Sequence, residues 1–259
     1  MIKAMNEWSA KDRKQITAHG LNVEEVERQL TIFRRGVPPV HLNRPCHAGD
    51  GIVVIPETER PTLLAAYEEA RRTIRLMKFS PASGAASRMF REWYRCLDAG
   101  GYADEDAREE FANNLKQYAF FPDLRAVIAA KGRDIDVLLE NQEEAAVLRF
   151  ILTKEGLNYG SLPKALLKFH ACREGNRTAL EDHLVEAAHY ARDAGNISRV
   201  HFTVSCEHEN AVRSLLSQVI PGYESRLSTV FAIGLSTQDP ETDTIAVDSE
   251  NRPFRTEEG

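Results

Sequence analysis

The residue types best suited to chemistry lie in one short run of small side chains. Residues 82–89 read Ala-Ser-Gly-Ala-Ala-Ser-Arg-Met and follow the segment Leu76–Phe79. This pattern predicts a buried strand, a tight turn and a helix that carries Arg88 in its first turn. Such a turn gathers unpaired main-chain N–H groups and the positive end of a helix at one point. Because the guanidinium of Arg88 adds a permanent charge and a planar set of donors, we expect the turn to bind a phosphate or another anion.

Composition limits the classes of protein to which this chain can belong. It has 259 residues, 28% of them charged, and a net charge of −6, which gives no global basic field for nucleic acid. No apolar run reaches the length of a membrane span, and the segment Met1–Trp8 lacks the apolar core of a secretory signal. The four cysteines are scattered and form no C-x-x-C pair. We therefore expect a cytoplasmic protein with reduced thiols that binds neither nucleic acid nor membrane.

The chain is expected to begin with a mainly helical extension, residues 1–72. Asn22 followed by Glu25 is typical of the start of a helix, and Gly36 is typical of its end. Residues 73–259 are expected to form one α/β domain. At about residues 100–160 this domain is interrupted by a helical insertion, in which apolar side chains recur at helical spacing.

Strands and helices alternate in the remainder of the predicted domain. A strand is expected to begin near Ile74, and Val200–Val204 alternates between apolar and polar residues as a half-buried strand does. The apolar run Val230–Leu235 is typical of a strand covered on both faces, and Thr244–Val247 is predicted as one more strand. This order predicts an α/β fold with a doubly wound, mostly parallel sheet, whose ligands bind beyond the carboxyl ends of the strands.

A second segment, Leu162–Phe169, reads Leu-Pro-Lys-Ala-Leu-Leu-Lys-Phe. Together with the turn it resembles the motifs A-A-G-x-G-T-R-M and P-K-x-L-L of the sugar-phosphate nucleotidyltransferases, members of the nucleotide-diphospho-sugar transferase superfamily. The matching residues are Ala82, Gly84, Arg88, Met89, Pro163, Lys164, Leu166 and Leu167. This resemblance covers about residues 74–91 and 161–247. Over almost its whole length, the chain is also similar to an uncharacterised bacterial domain-of-unknown-function family with a Pro-Ala-Ser-Gly-Ala-Ala-Ser-Arg-Met-Phe segment.

The transferase resemblance implies an enzyme that joins a sugar phosphate to a nucleoside triphosphate and releases pyrophosphate, with Mg²⁺ as cofactor. Arg88 would clamp the departing phosphates, and Lys164 would neutralise the α-phosphate or the attacking sugar phosphate. Gln238 would read the base, because an amide both donates and accepts hydrogen bonds, and a polar turn leading to Pro240 is the competing interpretation. The residues implied in nucleotide and phosphate binding are Ala82, Ser83, Gly84, Ala85, Ala86, Ser87 and Gln238.

Three differences separate this chain from the transferase pattern. Ala85 and Ala86 stand where the family has a variable residue and a glycine, the segment between the motifs is far longer, and no D-x-D supplies metal ligands. Asp243 and Asp248 are the nearest acidic candidates for holding Mg²⁺, and an ordinary turn carboxylate is the competing interpretation of each. Because members of the family continue further, the resemblance also implies that this chain is shortened at its C-terminus.

These differences leave other functions open. One alternative is a non-catalytic module of the same fold that binds a nucleotide or a nucleotide sugar without turnover. Another is an acyl hydrolase with Ser83 on a strand-to-helix elbow, although Pro81 and Ala85 stand where such an elbow carries glycines. We interpret Cys206 and His208, which follow a predicted strand, as structural residues because no third group is seen to orient them. The base, the sugar and the oligomeric state stay open.

Overall fold

The computed structural model describes residues 8–238 and 244–255, and the chain divides into two compact units. The first unit consists of residues 1–61 and 239–259, and the second of Thr62–Gln238. The predicted boundary after residue 72 lies at the end of helix α3 (Arg60–Thr73) and stays a prediction. The hydroxyl of Tyr67 donates to the carbonyl of Tyr190 at 2.9 Å, which ties α3 to the second unit.

In its described residues, the first unit contains two helices and one pair of very short strands. These elements are α1 (Ala10–Ala18), α2 (Val23–Arg35), β1 (His47–Ala48) and β2 (Gly51–Ile52). The predicted start of α2 is confirmed, since the Asn22 side chain accepts from the N–H of Glu25 at 2.8 Å. The helix ends at Gly36 with a φ of +72°, in the left-handed region that favours glycine.

The predicted strand at Thr244–Val247 is wrong within the described residues. Val247 forms an isolated bridge with Pro253 because the chain turns at Asp248. The carboxylate of Asp248 accepts from the N–H groups of Glu250 and Arg252, each at 2.9 Å. Such a side-chain-to-backbone turn brings the chain back on itself and prevents it from extending along a sheet.

The second unit begins with α3 and continues through a series of helices and strands. In chain order these are β3 (Lys78–Pro81), α4 (Arg91–Ala99), α5 (Glu105–Leu115), α6 (Phe121–Ala130), α7 (Ile135–Glu140), α8 (Glu144–Leu152), β4 (Lys168–His170), β5 (Arg177–Thr178), α9 (Ala179–Tyr190), β6 (Ile197–Val204), α10 (Glu209–Leu227) and β7 (Val230–Thr237). No helix in the described ranges combines the length and the apolar character needed to cross a membrane.

Strands β3, β6 and β7 form one parallel sheet, in that spatial order. Helices α9 and α10 pack with alternate residues of β6 in a hydrophobic core. This sheet core includes Leu180, Leu184, Val200, Phe202, Val204 and Val212. A chain of mixed helices and mostly parallel strands is thereby confirmed, while its doubly wound arrangement stays a prediction. Strand β7 lies at the edge of the sheet and Val230 is 58% exposed, so the expectation of a strand covered on both faces is wrong.

Helices α4 to α8 form a second hydrophobic core, called here the helical core. It includes Leu115, Leu124, Ile128, Val147, Leu148 and Ile151. Tyr159, in the loop after α8, is also buried there, and burial raises its pKa to about 12. Its hydroxyl therefore stays neutral and accepts from the N–H of Lys168 at 3.3 Å. This contact anchors the start of β4 against the helices.

Candidate functional site

The loop after β3 is longer than the predicted tight turn. Residues 82–90 separate the strand from α4, so Arg88 lies in a turn ahead of the helix, which begins at Arg91. The expectation of Arg88 in the first helical turn is therefore wrong. Packing explains the difference, because Ala82 is buried in the sheet core and Ala86 in the helical core. The chain has to cross from one core to the other before the helix can begin.

The main chain of this loop carries hydrogen-bond donors that have no partner in the described part of the chain. Within residues 8–238 and 244–255, no acceptor pairs with the N–H groups of Ser83, Gly84, Ala85, Ser87 and Arg88. A Cβ added at Gly84 would meet no atom within 4 Å, so the space in front of this residue is open. None of the described residues from 82 to 90 has a positive φ, so alanine is accommodated without backbone strain. Unpaired N–H groups beside open space can hold an anion.

The second sequence motif lies directly against this loop. The N–H of Lys164 donates to the carbonyl of Gly84 at 2.9 Å, and Ala85 forms an antiparallel bridge with Pro163. Lys164 opens a short 3₁₀ turn and is exposed, as is Arg88. Among the described residues, neither of these two cations forms an ion pair. The structure thus brings the two motifs into main-chain contact, and within the described ranges neither positive charge has a protein counterion.

Gln238 joins the same group of residues at the end of β7. Its N–H donates to the carbonyl of Val204 at 2.9 Å, and its Oε1 accepts from the hydroxyl of Ser83 at 2.9 Å. Because Ser83 uses one of the two lone pairs of Oε1, a ligand could be contacted by the second lone pair or by the amide NH₂. The hydroxyl of Ser83 is bonded to an amide oxygen, which is not a base that could activate it. This geometry gives no support to the acyl-hydrolase alternative.

Sequence reasoning missed Ser161 and Ser205, whose contacts with His208 hold this edge of the sheet together. His208 follows β6, and its Nδ1 lies 2.9 Å from the hydroxyl of Ser205 while its Nε2 lies 2.9 Å from the carbonyl of Ser161. The sequence interpretation of His208 as a structural residue rested on the lack of an orienting group. The Ser161 carbonyl is such a group, and it comes from a loop far away in the chain. No local sequence pattern predicts this contact.

Of the two acidic candidates for Mg²⁺, Asp248 is the one that lies in the described ranges. Asp243 lies outside the described residues. Asp248 belongs to the first unit, and its carboxylate is bonded to Arg252 and to two N–H groups of its own turn, which hold its pKa below the ordinary value. Within residues 8–238 and 244–255, no three His, Cys, Asp or Glu side chains are grouped so that they could hold a metal ion. The interpretation of Asp248 as a turn carboxylate agrees with this geometry.

A cavity of about 310 Å³ lies away from the loop, between the β4–β5 turn and α10. Two arginines line it, and both have acidic partners. Arg226 pairs with Glu174 at 2.9 Å, and Arg177 pairs with Asp182 at 3.4 Å. Because these charges are already compensated, we do not assign the phosphate site to this cavity.

Comparison with known proteins identifies the family and nothing finer. The chain matches no curated protein and no solved structure. A family model described as Domain of unknown function (DUF4301) matches residues 9–259. That match covers nearly the entire sequence, including the loop after β3 and the Lys164 segment, and it confirms the expected similarity to a family of unknown function. The chain belongs to the DUF4301 family.

Proposed function

We propose that this protein is nucleotidyltransferase-like: it binds a nucleoside triphosphate at the loop after β3 and joins it to a sugar phosphate or a similar small phosphorylated alcohol. One observation carries the proposal: the N–H groups of Ser83–Ala85 and of Ser87 and Arg88, beside the main chain of Lys164, have no acceptor among the residues that the structure describes. Two exposed cations without ion pairs in the described ranges add positive charge to that place. A polyphosphate is the ligand class that such donors and charges suit best.

The proposed reaction is an in-line substitution at the α-phosphorus. An oxygen of the sugar phosphate forms a new P–O bond, the bond to the bridging oxygen of the β-phosphate breaks, and pyrophosphate leaves with the electron pair. Negative charge accumulates on the phosphates, where the loop N–H groups donate hydrogen bonds. Arg88 holds the departing pyrophosphate and Lys164 neutralises the α-phosphate. Loss of one preorganised donor of this kind raises a barrier by about 3–4 kcal/mol.

The proposal includes a finer fold assignment, a doubly wound transferase-like sheet to which β3, β6 and β7 belong. Its support is that the loop and Gln238 follow the carboxyl ends of the parallel strands β3 and β7, where ligands of parallel α/β sheets bind, and that the Lys164 segment bonds the loop there. Mg²⁺ enters the proposal as an ion carried by the triphosphate, because phosphate oxygens and water supply many of its ligands in nucleotide sites.

Calorimetric titration with inorganic pyrophosphate tests the binding step. Arg88→Ala and Lys164→Ala should each weaken binding about ten- to hundredfold, since a hydrogen bond to a charged group contributes about 1.5–3 kcal/mol. Arg95→Ala and Lys131→Ala, which remove exposed cations elsewhere in the same unit, serve as matched controls and should leave the affinity unchanged. Equal behaviour of the site variants and the controls would exclude the loop as the anion site.

Gly84→Ala separates binding from folding. The added methyl would meet no protein atom within 4 Å, so the free energy of unfolding should stay within about 0.5 kcal/mol of the wild-type value. The same methyl would occupy space where a phosphate approaches the N–H groups, so pyrophosphate binding should weaken. A variant that binds as the wild type does would show that the ligand does not approach Gly84.

A non-catalytic nucleotide-binding module is the second candidate function. The observation that favours it is the lack of a metal-ligand cluster among the described residues. The two candidates differ in one measurement, the release of pyrophosphate from nucleoside triphosphates mixed with sugar 1-phosphates. Steady release that Arg88→Ala abolishes supports the transferase. Binding without release, across the common nucleotides and sugar phosphates, supports the module.

A further inference from the structure

The imidazole of His208 is held at both of its nitrogens. A carbonyl oxygen accepts hydrogen bonds and never donates, so Nε2 carries a hydrogen and donates it to Ser161. At Nδ1, the hydroxyl of Ser205 lies at 2.9 Å and the carboxylate of Glu207 at 3.2 Å. The neutral ring accepts from the serine and the protonated ring donates to either oxygen. The bond from Nε2 to Ser161 persists in both forms.

These hydrogen bonds connect the Ser161 carbonyl to the end of β6. The side chain of His208 is 15% exposed, and Ser205 is 4% exposed. Ser205 follows directly after Val204, the last residue of β6, whose side chain is buried in the sheet core. The histidine is therefore attached to the end of a strand whose side chains are buried in the sheet core.

The segment that His208 bonds, Ser161–Lys164, ends at the candidate site. Ser161 and Lys164 are separated by Leu162, which packs on the helical core, and by the buried Pro163. At the far end of this short segment, the N–H of Lys164 donates to Gly84. The segment is thus attached to β6 at its start and to the phosphate loop at its end.

We propose that His208 is a positioning residue for Lys164, and that it fixes the Ser161–Lys164 segment so that the lysine ammonium meets the phosphate bound at the loop. The inference rests on the proposed function, since it gives Lys164 the task described above. His208 itself contacts no substrate. Its effect on anion binding should therefore pass through Lys164 and disappear when that lysine is absent.

A double-mutant cycle, with calorimetric affinity for inorganic pyrophosphate as the readout, tests this. His208→Leu should weaken binding about tenfold when Lys164 is present and less than about twofold when it is replaced by alanine, because coupled residues are non-additive. His189→Leu is the matched control, since that ring bonds the Val185 carbonyl within α9 and should not alter the affinity. Equal weakening by His208→Leu in both backgrounds, or none in either, would overturn the proposal.

Two conservative variants keep the test decisive if His208→Leu does not fold. The amide nitrogen of glutamine reaches the place of Nε2, whereas that of asparagine reaches the place of Nδ1. His208→Gln should bind pyrophosphate within about threefold of the wild type, and His208→Asn should be about tenfold weaker. The reverse order would refute a role for the bond to Ser161.

Failure of the inference can be told apart from failure of the proposed function. If Arg88→Ala and Lys164→Ala leave pyrophosphate binding unchanged, the proposed function is wrong and the role of His208 falls with it. If those two variants weaken binding while His208→Leu does not, the anion site stands and the positioning role alone is refuted.

Discussion

Two alanines of the loop after β3 are buried, whereas Gly84 between them and Arg88 after them are exposed. Ala82 is 5% exposed in the sheet core and Ala86 is 1% exposed in the helical core, whereas Gly84 and Arg88 are exposed. The alanine at position 86, where the transferase pattern has glycine, thus serves packing, and its methyl group does not face the open space at Gly84. Alanine and glycine each carry one main-chain N–H, so alanine at position 86 leaves the number of N–H donors in the loop unchanged.

The hydrogen bond between Ser83 and Gln238 yields a first prediction. Ser83→Ala removes a donor at 2.9 Å from Oε1 and should lower the free energy of unfolding by about 0.5–1.5 kcal/mol, as measured by urea denaturation. Ser87→Ala, an exposed serine in the same loop, should change it by less than about 0.5 kcal/mol. If both variants are equally stable, the bond contributes nothing to the folded state.

The ion pair between Lys78 and Glu186 predicts a pH dependence. The lysine side chain holds the pKa of Glu186 at about 2, below its ordinary value of 4.5. A carboxylate with a lowered folded-state pKa stabilises the protein above its unfolded pKa, and this stability is lost as the pH falls through the folded pKa. Glu186→Gln should therefore be less stable than the wild type at pH 6, and the difference should shrink between about pH 4.5 and pH 2.

Urea denaturation across this range checks the prediction, with Lys78→Met as the reciprocal variant. Removal of either partner should abolish the same part of the pH dependence, and the double variant should lose no more than one of the single variants does. A difference between Glu186→Gln and the wild type that stays constant from pH 6 to pH 3 would show that the pair does not titrate in this way.

Among the elements, the connection after α8 depends on close backbone contacts. The N–H of Leu157 donates to the carbonyl of Phe150 at 2.7 Å, and the N–H of Gly160 donates to that of Leu152 at 3.0 Å. A Cβ at Gly156 would lie 2.0 Å from the Phe150 carbonyl oxygen, so glycine is required there for space. This connection delivers the chain to Ser161 and so sets where the Lys164 segment begins.

Paired glycine substitutions test this packing. Gly156→Ala should lower the free energy of unfolding by about 1–3 kcal/mol or more, because backbone has to move. Gly222→Ala, inside α10 with no atom within 4 Å of the added Cβ, should raise it by about 0.5–1 kcal/mol through better helix propensity. Equal effects of the two variants in urea denaturation would contradict the steric explanation.

In the whole molecule, every described residue of the candidate anion site belongs to the second unit. Both hydrophobic cores also lie within Thr62–Gln238. The loop after β3 connects these two cores, since its buried alanines belong to one core each. The integrity of the site therefore depends on how the sheet and the helical insertion pack together.

A fragment that begins at α3, residues 60–238, should fold alone. It contains both cores, so it should unfold cooperatively in a thermal melt followed by circular dichroism. Its affinity for pyrophosphate should lie within about threefold of that of the full chain, and Lys164→Ala in the fragment is the control for specific binding. A fragment that unfolds without cooperativity, or binds no pyrophosphate, would show that the first unit is needed.

The sequence alone was sufficient to predict the features whose formation depends on near neighbours in the chain. The cap at Asn22, the predicted strand Val200–Val204, which lies within the observed Ile197–Val204 and alternates in burial, and the helical character of the insertion all agree with the sequence patterns. Membership of the DUF4301 family likewise follows from the order of residues. Capping and periodicity are local effects, so local patterns report them.

Tertiary packing determined which residues far apart in the chain come into contact. Helix α4 begins at Arg91 because residues of the preceding loop are buried in two different cores. The bonds from Lys164 to Gly84 and from His208 to Ser161 exist because the sheet and the helical insertion bring separate loops to one edge. Burial and hydrogen bonding at such distances depend on how whole elements pack, which residue spacing does not encode.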